Sequence, residues 1–98
     1  MTIELKKTAE ATVIEIVGRL DTTTAPMLDK TINEDAKNAT HIILDMKGLE
    51  YISSAGLRVL LGAEKKMKKV GSLKLRNVCE EVMEVFEMTG FADILTIE

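Results

Sequence analysis

Two adjacent serines followed by a small residue and a glycine, within Tyr51-Ile52-Ser53-Ser54-Ala55-Gly56-Leu57-Arg58, are the residues of this chain best placed to do chemistry. The apolar run Ile42-Ile43-Leu44 ends before them in Asp45 and an amphipathic helical pattern begins just after them, which predicts a strand-to-helix junction. At a helix start, unpaired backbone N–H groups and the positive end of the macrodipole favour an anion. A phosphate there would be stabilised locally. Its roughly two negative charges and strong acceptor oxygens would also change what the surface binds. The expected chemistry is a switch. Helix capping by itself also accounts for a serine pair, and the two roles are compatible: Ser53 as cap leaves Ser54 in the first turn with its hydroxyl outward. Gly56 then removes side-chain bulk beside it.

Other chemistries lack their parts. A hydrolase built on Ser53 or Ser54 needs a base, and the one histidine, His41, falls at the start of a strand. One His, one Cys and scattered carboxylates give no metal-ligand spacing, and neither the Walker loop nor the dinucleotide fingerprint is present. No cofactor, metal or catalytic residue is expected, and the protein is read as a binding module and not an enzyme. Cys79, with no second cysteine to pair with, reads as a small buried thiol. A net charge of −3 and only three aromatic residues (one Tyr, two Phe, no Trp) argue against nucleic acid as a partner. No apolar run approaches the roughly 20 residues that span a bilayer, and Met1 to Lys7 lacks a signal-peptide hydrophobic block. A cytoplasmic protein without membrane insertion is expected.

The 98 residues suit one domain, residues 1–98, with 46% hydrophobic content to build a core from Ile, Leu, Val, Ala and Met. Ile3 to Thr8 and Thr12 to Val17 read as an antiparallel strand pair. Gly18-Arg19-Leu20-Asp21 breaks the pattern, and Thr22, Thr23 or Thr24 can cap a helix over 25–37 with Pro26 in its first turn and Leu28, Ile32 and Ala36 on one face. His41 to Asp45 is short, apolar and β-branched, as a central strand should be. A helix over 54–69 carries Leu57, Leu60, Leu61, Met67 and Val70 inward and ends at Gly71 after a lysine-rich last turn. Ser72 to Asn77 alternates as a strand, and Glu80 to Thr89 forms a helix through Val82, Val85, Phe86 and Thr89. Ile94 to Ile97 is an optional last strand. Met27, Met67, Met83 and Met88 are read as packing residues. The order predicts an α/β fold: a mixed sheet of four to five strands with three to four helices mainly on one face. If the strand before Asp21 lies beside the central strand, the Asp21 loop and the serine turn emerge at one sheet edge and build one surface.

Nearly the whole chain resembles the anti-sigma-factor antagonists, small stand-alone STAS domains of bacteria. The resemblance rests on Gly18-Arg19-Leu20-Asp21, on Ile42-Ile43-Leu44-Asp45, on Tyr51 to Leu57, and on Val85-Phe86-Glu87-Met88-Thr89-Gly90-Phe91. It implies a module that binds an anti-sigma factor that is also a serine kinase, and so releases a sigma factor until phosphorylation ends the binding and a PP2C-type phosphatase restores it. By this likeness Ser54 is the acceptor, with Ser53 as the alternative, and Asp21, Thr22, Thr23, Ser53, Ser54, Ala55, Gly56 and Arg58 form the partner surface of a monomer. Ser53 stands where well-known members carry Asp, and Ala55 where they carry Ser or Thr, so the turn has one negative charge fewer. The other reading is a constitutive STAS adaptor subunit of a transporter or a larger signalling complex.

Overall fold

A computed structural model describes residues 1–98. Four strands, β1 (Thr2–Lys7), β2 (Thr12–Leu20), β3 (His41–Ile52) and β4 (Ser72–Arg76), form one sheet in the order β1-β2-β3-β4. β1 runs antiparallel to β2, as a short connection allows, whereas β2, β3 and β4 are mutually parallel and are joined by helical crossovers. The helices are α1 (Ala25–Lys30), α2 (Ser54–Val70) and α3 (Glu80–Thr89).

Strand periodicity decides which face the helices cover. Ile14, Ile16, Ile42, Leu44, Met46, Leu73 and Leu75 are buried and share one core with Leu28 of α1, Leu57, Leu60 and Met67 of α2, and Val82 and Phe86 of α3. The opposite face carries Lys6, Glu15, Asp45 and Arg76, with ion pairs from Lys6 to Glu15 (2.7 Å) and from Arg76 to Asp45 (3.5 Å). Partial burial pushes the Asp45 carboxyl up, but hydrogen bonds from the Asn77 side chain and the Lys47 N–H, together with Arg76, outweigh it and hold the group below its ordinary range.

Several elements differ from the sequence reading. β3 does not stop at Asp45 but continues to Ile52, because Met46, Leu49 and Ile52 are all buried and Gly48 lies against Val17 of β2. A Cβ on Gly48 would come within 2.7 Å of Val17 Cγ2. β2 likewise runs on to Leu20 through irregular register and Gly18 at φ +113°. The expected helix over 25–37 is α-helical only to Lys30 and widens into a π-helical segment over Thr31–Asp35. The Thr31 hydroxyl there donates to the Met27 carbonyl at 2.9 Å. Ile94 to Ile97 does not form a strand; it contributes one parallel bridge, Ile97 to Leu75. Val70, Thr89, Met27 and Met88 are exposed and do not pack as expected, since each falls on the outer side of its helix. Cys79 is only partly buried, its thiol 3.5 Å from the Leu49 carbonyl.

Candidate functional site: the serine turn and the Asp21 loop

Adjacent parallel strands deliver both halves of the site to one sheet edge. Leu20 pairs with Ile52 at the last rung of the β2–β3 ladder, and the Ser53 N–H then donates to the Leu20 carbonyl at 2.9 Å. The chain turns into α2 immediately afterwards. Ser53 is the N-cap in extended conformation: its Oγ accepts from the Gly56 N–H at 3.5 Å, a long bond, and its carbonyl accepts from the Leu57 N–H at 3.0 Å.

Ser54 is the first residue of α2 and is exposed, with a hydroxyl that makes no hydrogen bond within the protein. This is the arrangement the sequence predicted for Ser53 and Ser54. Gly56 has a different role from the expected one. It is buried, and a Cβ there would come within 2.8 Å of both Ile52 Cγ1 and Leu20 Cγ. Its missing side chain lets the first turn of α2 sit directly on the strand ends, and does not clear space beside Ser54. Ala55 is partly buried against the core.

The loop after β2 is organised by Asp21. Its Oδ1 accepts from the Thr23 N–H (3.0 Å), the Thr23 hydroxyl (2.7 Å) and the Thr24 N–H (3.1 Å), while its carbonyl accepts from the Ala25 N–H at 2.8 Å. The Thr23 hydroxyl bond, foremost among these, holds the carboxyl below the usual range. None of Thr22, Thr23 and Thr24 caps α1 in the way expected. Thr24 occupies the N-cap without a side-chain cap bond, and its hydroxyl instead donates to the Arg19 carbonyl at 2.7 Å. Asp21 satisfies the orphan donors in their place.

Thr22 and Thr23 are exposed, and Thr22, Ala25, Pro26, Asp29, Ala55, Arg58 and Val59 line an open groove between α1 and the start of α2. All eight residues singled out from the sequence therefore gather at one end of the sheet, with Gly56 beneath the surface. Sequence reasoning singled out the segments that hold Arg19 and Tyr51 but missed their contact: they project from paired positions on the other side of the same edge, the guanidinium 4.2 Å from the ring centroid. It also missed a partner for His41, whose Nδ1 lies 2.8 Å from Ser72 Oγ at the opposite end of β3, away from Ser53 and Ser54. The parallel pairing of His41 with Ser72 creates that contact, and no local signal announces it.

No helix is long and apolar enough to cross a membrane. Residues 2–98 match the model of the STAS domain family. The anti-sigma-B factor antagonist of Bacillus subtilis is 32% identical over 96 residues, covering 97% of this chain and 88% of that protein. Among solved structures, an anti-sigma factor antagonist from Mycobacterium paratuberculosis superposes with a TM-score of 0.88 at 21% identity, over 98% of this chain and 83% of that one. The phosphorylated form of the Bacillus cell fate determinant SpoIIAA gives 0.73 at 23% identity, over 99% and 91%. These two likenesses establish a shared fold. With the family match over almost every residue and a serine turn at the strand-to-helix junction, the chain belongs to the STAS domain family.

Proposed function

We propose that this protein is an anti-sigma factor antagonist whose docking surface is switched by phosphorylation on Ser54. One observation carries the site assignment: a free, exposed hydroxyl on the first residue of α2, beside a loop locked by Asp21. In the unmodified state, Thr22, Thr23, Ala55, Arg58 and the two serines offer a partner surface at the sheet edge. An anti-sigma factor that is also an ATP-dependent serine kinase is bound there, and its sigma factor is released.

Modification forms a bond between Ser54 Oγ and the γ-phosphorus of ATP and breaks the bond from that phosphorus to the bridging oxygen. ADP leaves, and the hydroxyl proton passes to a base of the kinase. The dianion that results sits within the interface, where an unpaired charge is costly to desolvate. A PP2C-type phosphatase reverses the step by hydrolysis. The protein itself acts by binding, in the cytoplasm, and catalyses nothing.

Incubation with the cognate kinase and ATP, followed by peptide mass spectrometry, is expected to find one phosphate, on Ser54. Labelling confined to Ser53 or to any other residue overturns the assignment. Recovery of a transporter in a pull-down, with no kinase-type anti-sigma factor, overturns the antagonist reading in favour of a constitutive adaptor.

A further inference from the structure

Arg58 follows Ser54 by one helical turn. Residues four apart on a helix are surface neighbours, about 5–6 Å between Cβ atoms, and long side chains reach toward the helix N-terminus, so Arg58, which lines the groove toward α1, is within reach of the turn that carries Ser54. Arg58 is exposed and takes part in neither of the chain's two ion pairs nor in any side-chain hydrogen bond. Asp29 faces the same groove from α1, yet its Oδ1 accepts from Asn33 and it makes no ion pair with Arg58. Arg19, at the same end of the sheet, is already engaged over Tyr51. Arg58 is thus a guanidinium without a partner, one helical turn from a hydroxyl without a partner.

We propose that Arg58 is the intramolecular partner of the phosphate on Ser54. This rests on Ser54 being the acceptor. The planar guanidinium matches two phosphate oxygens at once, a geometry that the Asp29 carboxylate does not reach here. One modification then changes the docking surface twice: it adds a dianion, and it withdraws from the partner a cation that the unmodified surface had offered. The second change extends the effect of the phosphate across the groove toward Asp29 and Thr22.

The test installs phosphoserine at position 54 during translation, which makes it independent of the kinase. Phosphorus NMR is used to titrate the full-length protein, its Arg58→Gln variant and its Arg58→Lys variant. The second phosphate pKa is expected to lie about 0.3 unit lower with Arg58 than with Gln, with Lys in between. The Arg58 Nε–H resonance is expected to move between the Ser54 and phosphoserine forms. Superimposable titrations of the Arg and Gln proteins, or an unmoved Nε–H resonance, overturn the pairing while leaving Ser54 as acceptor intact. Failure of the kinase reaction to label Ser54 overturns the acceptor assignment whatever Arg58 does.

Discussion

Gly56 and Gly62 stand on the same helix, and the same added methyl group is expected to act on them in opposite directions. At Gly62 a Cβ meets nothing within 4 Å. Gly62→Ala therefore gains only helix propensity, about 0.8–1 kcal/mol. At Gly56 a Cβ lies 2.8 Å from Ile52 Cγ1 and from Leu20 Cγ, atoms near the root of two buried side chains at the closing rung of the β2–β3 ladder. Neither can swing away, so the first turn of α2 must lift. Overpacking of this kind costs about 1–3 kcal/mol. The propensity gain is common to both substitutions and cancels in the comparison, leaving Gly56→Ala less stable than Gly62→Ala by about 1–3 kcal/mol. At roughly 4–8 °C per kcal/mol for a chain of this size, the two melting temperatures should differ by about 10 °C. Thermal melts give that difference, and urea unfolding followed by far-UV circular dichroism gives the stability difference itself, with the slopes compared to show that the unfolded state is unchanged. Equal midpoints for the two variants would refute the claim that the turn is seated against Leu20 and Ile52.

Three further outcomes are expected. Ser54→Asp should weaken binding to the cognate anti-sigma factor by about 1–3 kcal/mol while Ser54→Ala retains it; titration calorimetry giving one affinity for both would remove the switch. Asp21 and Asp45 have carboxyls held below their ordinary range, so the stability they contribute is present above the unfolded carboxylate value, roughly pH 4, and is lost as pH falls through the folded values. Urea midpoints should fall on acidification from pH 5 to pH 3, and less steeply for an Asp21→Asn/Asp45→Asn double variant; parallel curves would show that neither carboxyl is linked to folding. Phe86 is fully buried in the core shared by α3 and the sheet, and Phe86→Ala should cost about 3–5 kcal/mol in chemical denaturation, whereas a loss under 1 kcal/mol would mean that α3 is not seated as described.

The sequence made α2 and α3 legible because their signals are local. Leu57, Leu60 and Met67 recur at helical spacing between a serine cap and Gly71, and Val82 and Phe86 do the same before Gly90, which closes α3 in a left-handed conformation. Strand extent was harder to read. Lys47-Gly48 has the composition of a turn, yet β3 passes straight through it because Gly48 accommodates Val17 from the neighbouring strand, a contact set by sheet register and not by local sequence. The same limit applies at the site. Ser53 and Ser54 announced themselves through capping chemistry and helix periodicity, and Asp21 joined them through the parallel pairing the element order implied. The inward role of Gly56, the capping work of Asp21 and the stacking of Arg19 on Tyr51 depend on which atoms of distant segments meet, which no window of sequence contains.

The hydrogen bond from the Ser53 N–H to the Leu20 carbonyl ties the serine turn to the end of β2, and the web around Asp21 braces the loop that follows it. A partner meets a finished template, with little disorder to remove on contact. Under the proposed function, information written there would be stored in a covalent ester and not in a choice between shapes, so it would survive dilution and partner exchange until an enzyme erased it. The output of a cell's worth of such molecules would then be a headcount, the fraction left unesterified, and its response time would be the turnover of the proposed kinase and phosphatase.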